Sequence, residues 1–345
     1  MNDRTRDLES WLELLCCPAC RSDLRVEDGA LACLGDGHRF ASEDGVPLLF
    51  WPTEWPEERA DVTEQVKAFY EETPFPNYDE FDSVGSLGRK ARQGIFARLL
   101  DEQIPPGARV VECGCGTGQL TNFLSVANRT VFGADMCLNS LRLGNGFKQE
   151  HGLSRAHFVQ MNLFRPVFKP GSFDLVVSNG VLHHTADPFL AFRTISELVK
   201  PRGYLLVGLY HRWGRLITDF RRGLFRLSGD RLTFLDPNLR SDGMAGPKRR
   251  AWFMDQYRNP HESKHTIGEV LGWLDQTGFD FVKSIPRSRP FQPVADDERL
   301  FDPELPGNAL ERAMVELGMV RSGSREGGFF VVIGRKREDA PPTAG

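Results

Sequence analysis

Three groups of residues in this chain have the types and spacings of reactive sites. The first is Glu112-Cys113-Gly114-Cys115-Gly116-Thr117-Gly118, where an apolar run, Val110-Val111, feeds an acidic residue and then three glycines at alternate positions. Glycines at such a turn let a ligand lie against bare backbone, and a helix opening behind them offers unpaired N–H groups. Leu120, Phe123 and Leu124 mark that helix. The dinucleotide fingerprint G-x-G-x-x-G places its third glycine one residue later than Gly118 does. The second group is His183 and His184, which close the stretch that begins with the apolar run Leu175-Val176-Val177. An imidazole titrates near neutrality and can serve as a general base, or it can brace a loop by hydrogen bonding. The third is Cys17, Cys20, Cys33 and His38. A C-x-x-C pair occupies one face of a tetrahedral ion, and a hairpin turning at Asp28-Gly29 returns the second pair of a structural zinc site. His38 is the preferred fourth ligand, with Asp36 or Cys16 as substitutes; a ribbon without metal, held by apolar packing, is the alternative.

The composition is that of an ordinary globular chain: 345 residues, 40% apolar, 26% charged, net charge -4. The balance gives no global case for nucleic-acid binding. The segment from His211 to His265 differs, with twelve Lys or Arg against six Asp or Glu, a local charge near +6. No apolar run approaches the roughly 18 residues of a membrane helix, and the charged start Met1 to Asp7 lacks a signal-peptide core. The expected compartment is the cytoplasm. There, seven cysteines with four in the first 33 residues argue for metal rather than disulfides.

The elements that position these groups alternate strand and helix. Strand patterns at 109–111, 130–134, 157–161, 175–177 and 204–209 are separated by helical patterns, as in an α/β fold with a mostly parallel sheet. Asp187-Pro188 opens one helix, and Gly278 to Ser284 with Gly328 to Ile333 supply two late strands. The expected organisation is a metal-ribbon module over 1–50, a linker and helical lid over 51–105, a main domain over 106–337 and a disordered tail over 338–345. A helical insert interrupts the main domain at 211–265.

The glycine run, the acidic Asp135 at the end of the second strand and the D-x-V-x-x-x-x-x-L-H-H stretch from Asp174 to His184 together resemble the class I S-adenosylmethionine (SAM) methyltransferases. The resemblance implies a Rossmann-like sheet with an antiparallel last strand. It also implies a SAM site formed by Glu112, Gly114, Gly116, Gly118, Asp135, Met136, Asn162, Leu163 and Asn179. Asp135 would take the ribose diol. Asn162 stands where the family commonly has an Asp for the adenine amino group, and Arg202 replaces one glycine of the usual K-P-G-G. The first fifty residues resemble zinc ribbons of the Trm112 type, although Asp36 stands where the last cysteine of that pattern would be.

These features lead to a SAM-dependent methyltransferase of a small, lipid-like or quinone-like acceptor, with His183 or His184 as base. Tyr70, Tyr78, Tyr210, Tyr257, His261 and His265 are the candidate acceptor-binding side chains. In the insert, Trp213, Leu216, Ile217, Phe220 and Leu224 share one helical stripe. The stripe fits a lid helix packed on the core with its basic face solvated, or peripheral contact with a membrane through 211–227. Two rival readings remain: an rRNA or tRNA base methyltransferase guided by the ribbon, and a SAM-binding scaffold that acts through a partner.

Overall fold

The apolar run 175–177 lies in the central strand of a seven-stranded sheet, in a computed structural model that describes residues 8–56, 61–76, 78, 83–240, 246–326 and 328–339. The strands are β6 (Arg109–Cys113), β7 (Thr130–Asp135), β8 (Ala156–Gln160), β9 (Phe173–Asn179), β10 (Val199–Tyr210), β11 (Phe279–Ile285) and β12 (Phe329–Lys336). Their spatial order is β11-β12-β10-β9-β6-β7-β8, and only β12 runs against the rest. The chain leaves β6 toward one edge and returns to β9 on its other side. Order therefore reverses between these two strands, which is where an open α/β sheet binds its ligand. Val110, Val111, Val176 and Val177 have no solvent exposure, as befits parallel strands covered on both faces. The tail expected at 338–345 falls mostly outside the described residues.

Helices cover the sheet as their patterns require. They are α1 (Thr63–Glu72), α2 (Val84–Gln93), α3 (Ile95–Gln103), α4 (Gln119–Ser125), α5 (Leu138–Glu150), α6 (Pro188–Ser196), α7 (Leu216–Ser228), α8 (Gly246–Phe253), α9 (Ile267–Gln276) and α10 (Ala309–Glu326). Asp187 caps α6 by accepting the Leu190 N–H at 2.9 Å, and Thr266 caps α9 through Glu269 N–H at 3.1 Å. Arg202 holds φ at +66°, a left-handed conformation that explains why a glycine is the easier residue there.

The amino-terminal module is a three-stranded antiparallel sheet, β1 (Leu24–Glu27), β2 (Ala30–Cys33) and β3 (Arg39–Phe40), followed by the small ladder of β4 (Ser42–Glu43) and β5 (Val46–Pro47). It is not held by metal geometry alone. Leu15, Leu31 and Leu49 are fully buried in a core shared with the main sheet. Complete burial contributes about 1.5–3 kcal/mol for each such side chain. Trp11 packs edge-on against Phe132 at 5.3 Å, and Leu48 bridges Gln160 at the outer edge of β8.

Candidate active site and metal centre

In the module, the hairpin brings Cys17, Cys20, Cys33 and Asp36 together, with one ligand atom from each lying within 4.8 Å of the others. Cys20 Sγ and Cys33 Sγ are 3.4 Å apart, and Cys17 Sγ is 3.7 Å from Asp36 Oδ2. A tetrahedral zinc–thiolate site has sulfurs about 3.8 Å apart, so this donor set fits zinc. His38, expected as the fourth ligand, is displaced from that role. Its backbone N–H and its Nδ1 both engage the Asp36 carboxylate, at 3.0 and 2.8 Å. The two-residue turn lets His38 hold both Asp36 carboxylate oxygens rather than reach the cluster itself. Gly35 leaves room for the Ser22 side chain, since a Cβ would lie 2.3 Å from Ser22 Oγ.

A cavity of about 530 Å³ opens at the carboxyl ends of β6, β7, β8 and β9. One end is lined by Glu112, Gly114, Gly116, Asp135, Met136, Asn162, Leu163 and Asn179, eight of the nine residues assigned to the cofactor from sequence. Gly118 is the exception. It starts α4 in the left-handed conformation, and its missing Cβ makes room for the Phe158 ring. The missing Cβ of Gly116 makes room for the Phe75 carbonyl, and Thr117 Oγ1 donates to the Pro76 carbonyl. The segment after α1 is thereby pressed onto the glycine turn. Glu71 on α1 accepts the Leu138 and Asn139 N–H groups at 2.7 and 2.9 Å, which also caps α5.

The electrostatics of this end suit a ligand that carries its own positive charge. Burial pushes the Glu112 carboxyl up to about 7, although Thr121 hydrogen-bonds it, and burial also raises Asp135. Asp135 is held at the strand end by the Gly116 and Cys137 N–H groups, both at 2.8 Å. A sulfonium with an α-ammonium and a ribose diol offers what two desolvated carboxylates need, so the residues present fit SAM. Asn162 lines the cavity with its amide already partly engaged. Its Nδ2 donates to Trp51 O at 2.8 Å and Thr53 Oγ1 at 3.1 Å, while its Oδ1 accepts from Phe164 N–H. The amide nitrogen is thus committed to the linker, and the carbonyl oxygen keeps one lone pair.

The other end is lined by Tyr70, His184, Tyr210, Trp252, Asp255, Gln256 and Phe329. His184 Nδ1 lies 2.8 Å from the His261 carbonyl, which can only accept, so Nδ1 bears the proton and Nε2 keeps its lone pair. Burial holds this imidazole below its usual pKa, hence neutral. His183 is placed differently. Fully buried and outside the cavity lining, it stacks on Tyr210 at 4.0 Å and accepts the Tyr210 N–H through Nδ1 at 3.3 Å. It braces the strand end, and burial lowers its pKa well below the usual value.

Among the six candidate acceptor contacts, Tyr70 and Tyr210 reach the cavity and the other four do not. Tyr78 stacks on Phe147 at 4.6 Å and accepts from Asn122 Nδ2. Tyr257 donates to Asp236 at 2.7 Å, and His265 bonds Glu269 and Ser263. His261 contributes its carbonyl rather than its ring. A π-helical turn at Met254–Arg258 instead directs Asp255 and Gln256 inward. Asp255 accepts Tyr70 Oη–H at 2.7 Å and Gln256 Nε2–H at 2.9 Å, and Gln256 Nε2 also donates to Tyr210 Oη at 2.7 Å. Beneath them lies Arg215, wholly buried, 3.8 Å over the Tyr210 ring and paired with Glu262 at 2.6 Å. The run 255–265 is dense in polar side chains, which marks the segment; the π turn that selects Asp255 and Gln256 leaves no periodic signal.

Residues 111–207 match the family described as a methyltransferase domain, and residues 10–45 match the Trm112p-like proteins. An uncharacterized Synechococcus protein is 27% identical over 270 residues, covering 70% of this chain and 63% of that one. A ubiquinone biosynthesis O-methyltransferase of Ralstonia nicotianae is 33% identical over 106 residues, covering 31% of this chain and 44% of that enzyme. This chain spans less than two thirds of the length of either relative. Among solved structures, the magnesium protoporphyrin IX methyltransferase of Synechocystis with bound SAH is similar at TM-score 0.47 and 13% identity, covering 79% of this chain and 99% of that one.

Proposed function

On the premise that the chain carries a methyltransferase domain behind a Trm112p-like module, we propose that it transfers a methyl group from SAM to a small or lipid-like acceptor with an ionisable O–H, N–H or enol. The donor supplies an electrophilic methyl on a sulfonium. Displacement at that carbon is in line, so the protein's task is to align the acceptor, exclude water and take up one proton. His184 Nε2 is the proton acceptor. The His261 carbonyl fixes its tautomer, and burial keeps it neutral, so that Nε2 presents a lone pair rather than a proton. Tyr70 and Gln256, both held by Asp255, position polar groups of the acceptor, while Trp252 and Phe329 bound it with apolar surface.

The observation that carries this reading is the cavity-lining His184 with its Nδ1 proton committed to a carbonyl. The ubiquinone-pathway relatives support an aromatic hydroxyl as acceptor, since a ring of that kind matches the aromatic lining at this end. Calorimetry with S-adenosylhomocysteine tests the donor site, and no binding at high micromolar protein would overturn it. Labelled SAM incubated with aqueous, lipid and RNA fractions tests the acceptor. Label in the RNA fraction alone would replace the small-molecule reading with the base-methylation one.

A further inference from the structure

Helix α7 turns only part of its apolar stripe inward: Leu224 packs beside Phe225 and Tyr257, while other members of the stripe stay in solvent. Its buried face carries Thr218, Phe225 and the largely buried Arg222, which bonds Glu262 Oε2 at 2.8 Å. The opposite face carries Leu216, Phe220 and Leu227 at helical spacing, with Phe220 68% and Leu227 88% exposed. The neighbouring α10 packs against α7 and repeats the arrangement. It buries Glu316 and Met319 and leaves Leu310, Met314 and Leu317 in solvent, four and three residues apart. Two helices in contact thus each leave an apolar row in solvent, where single exposed leucines would need no explanation but two such rows do.

The charges around these rows say what covers them. Arg212 and Arg226 flank the α7 row, and Arg231 and Arg240 follow it, all exposed. Arg226, Arg231 and Arg240 make no ion pair among the described residues, and Arg212 reaches Glu269 only at 3.7 Å. The acidic groups nearby already have partners. Asp219 pairs with Lys264, Asp230 with Arg258, Glu262 with Arg215 and Arg222, and Asp236 accepts from Tyr257. On α10, Glu311 is held by Arg289 and the Asn308 N–H. An outward field of uncompensated arginines beside apolar rows complements an anionic, apolar partner. It opposes a second copy of this chain, whose isologous contact would set like charges together. We propose that this face of α7 and α10 docks peripherally on an anionic lipid bilayer, with Phe220 and Leu227 at the headgroup boundary.

The docking does not depend on the methyl-transfer reading, since vesicle sedimentation is read without cofactor or turnover. The full chain should sediment with phosphatidylcholine vesicles containing phosphatidylglycerol, much less with phosphatidylcholine alone, and less as salt rises. Phe220→Ser with Leu227→Ser, and separately Arg212→Glu with Arg226→Glu, should each lower the partition coefficient about tenfold or more. Their far-ultraviolet dichroism and S-adenosylhomocysteine affinity should be those of the parent, because every altered side chain is on the outside. Equal recovery in the supernatant with both vesicle types would overturn the proposal. So would a dimer, by light scattering, that Phe220→Ser converts to monomer, since the face would then belong to a second copy.

Discussion

Asn162 Nδ2 donates to the Trp51 carbonyl at 2.8 Å, and the Trp51 ring in turn stands edge-on to His38 at 4.7 Å. His38 bonds Asp36, one of the four residues that fit a metal. One unbroken chain of contacts therefore runs from the metal centre to the floor of the cavity, reinforced by Leu49 N–H donating to Gln160 O at 3.2 Å. The metal centre and the donor end should be coupled as two sites biased by one packed segment. Removing zinc with a chelator, or replacing Cys17 and Cys20 by Ser, should weaken S-adenosylhomocysteine binding by about 5- to 150-fold. Calorimetry paired with metal analysis checks this. Affinity unchanged in metal-free protein would show that the module is only an attachment.

His183 and His184 are neighbours with opposite assignments, and kinetics can separate them. His184→Gln should lower kcat by about 10²- to 10⁴-fold while leaving S-adenosylhomocysteine affinity unchanged, the loss expected for a general base. His183→Gln should act through Tyr210, whose ring and N–H it supports, and should appear as lost thermal stability. If both variants lose stability and turnover in step, His184 is a brace as well.

Much of this was legible in the chain itself, and the exceptions share a cause. Strands, glycine turn, Asp135 and Asn179 follow from local pattern, because a parallel sheet forces its ligand to one edge. His38 gives way as fourth ligand because Asp36, two residues away, reaches the cluster first, and the Asn162 tie to Trp51, 111 residues upstream, leaves no local signal. Tyr78, Tyr257 and His265 have the right chemistry on surfaces that turn away from the cavity. Arg215 was invisible as an inward residue, since an arginine in a basic, amphipathic stretch reads as solvated. Only the fold shows Glu262 arriving from 47 residues downstream to neutralise it.

Cofactor binding should depend on pH through Glu112. Its carboxyl is raised to about 7 by burial, with Asp135 adding to the rise and Thr121 opposing it. A ligand ammonium pairs with the ionised form, so binding must first remove the proton below that value. Affinity for S-adenosylhomocysteine should therefore fall by up to about tenfold per pH unit below pH 7 and level off above it. Glu112→Gln should bind weakly with no slope in this range. A flat profile in the parent protein would mean that the carboxylate does not meet the ligand's cation.

The Arg215–Glu262 pair should dominate the stability of the insert. Burial alone would raise the Glu262 carboxyl, yet the guanidinium groups of Arg215 and Arg222 hold it below the usual range. A depressed folded-state pKa contributes stability that is present above the unfolded value near 4.5 and is lost as pH falls through the folded one. Glu262→Gln removes the charge that compensates a wholly buried guanidinium, and such a break costs about 3–5 kcal/mol. Denaturant unfolding should show that loss at pH 7 and a smaller one toward pH 4. Replacing both partners, Arg215→Met with Glu262→Leu, should recover part of the stability, since Arg222 still loses its Glu262 partner, but not turnover, because Tyr210 and Gln256 then lose the cation that fixes them beside His184. Full activity in that double variant would remove Arg215 from the positioning of the acceptor site.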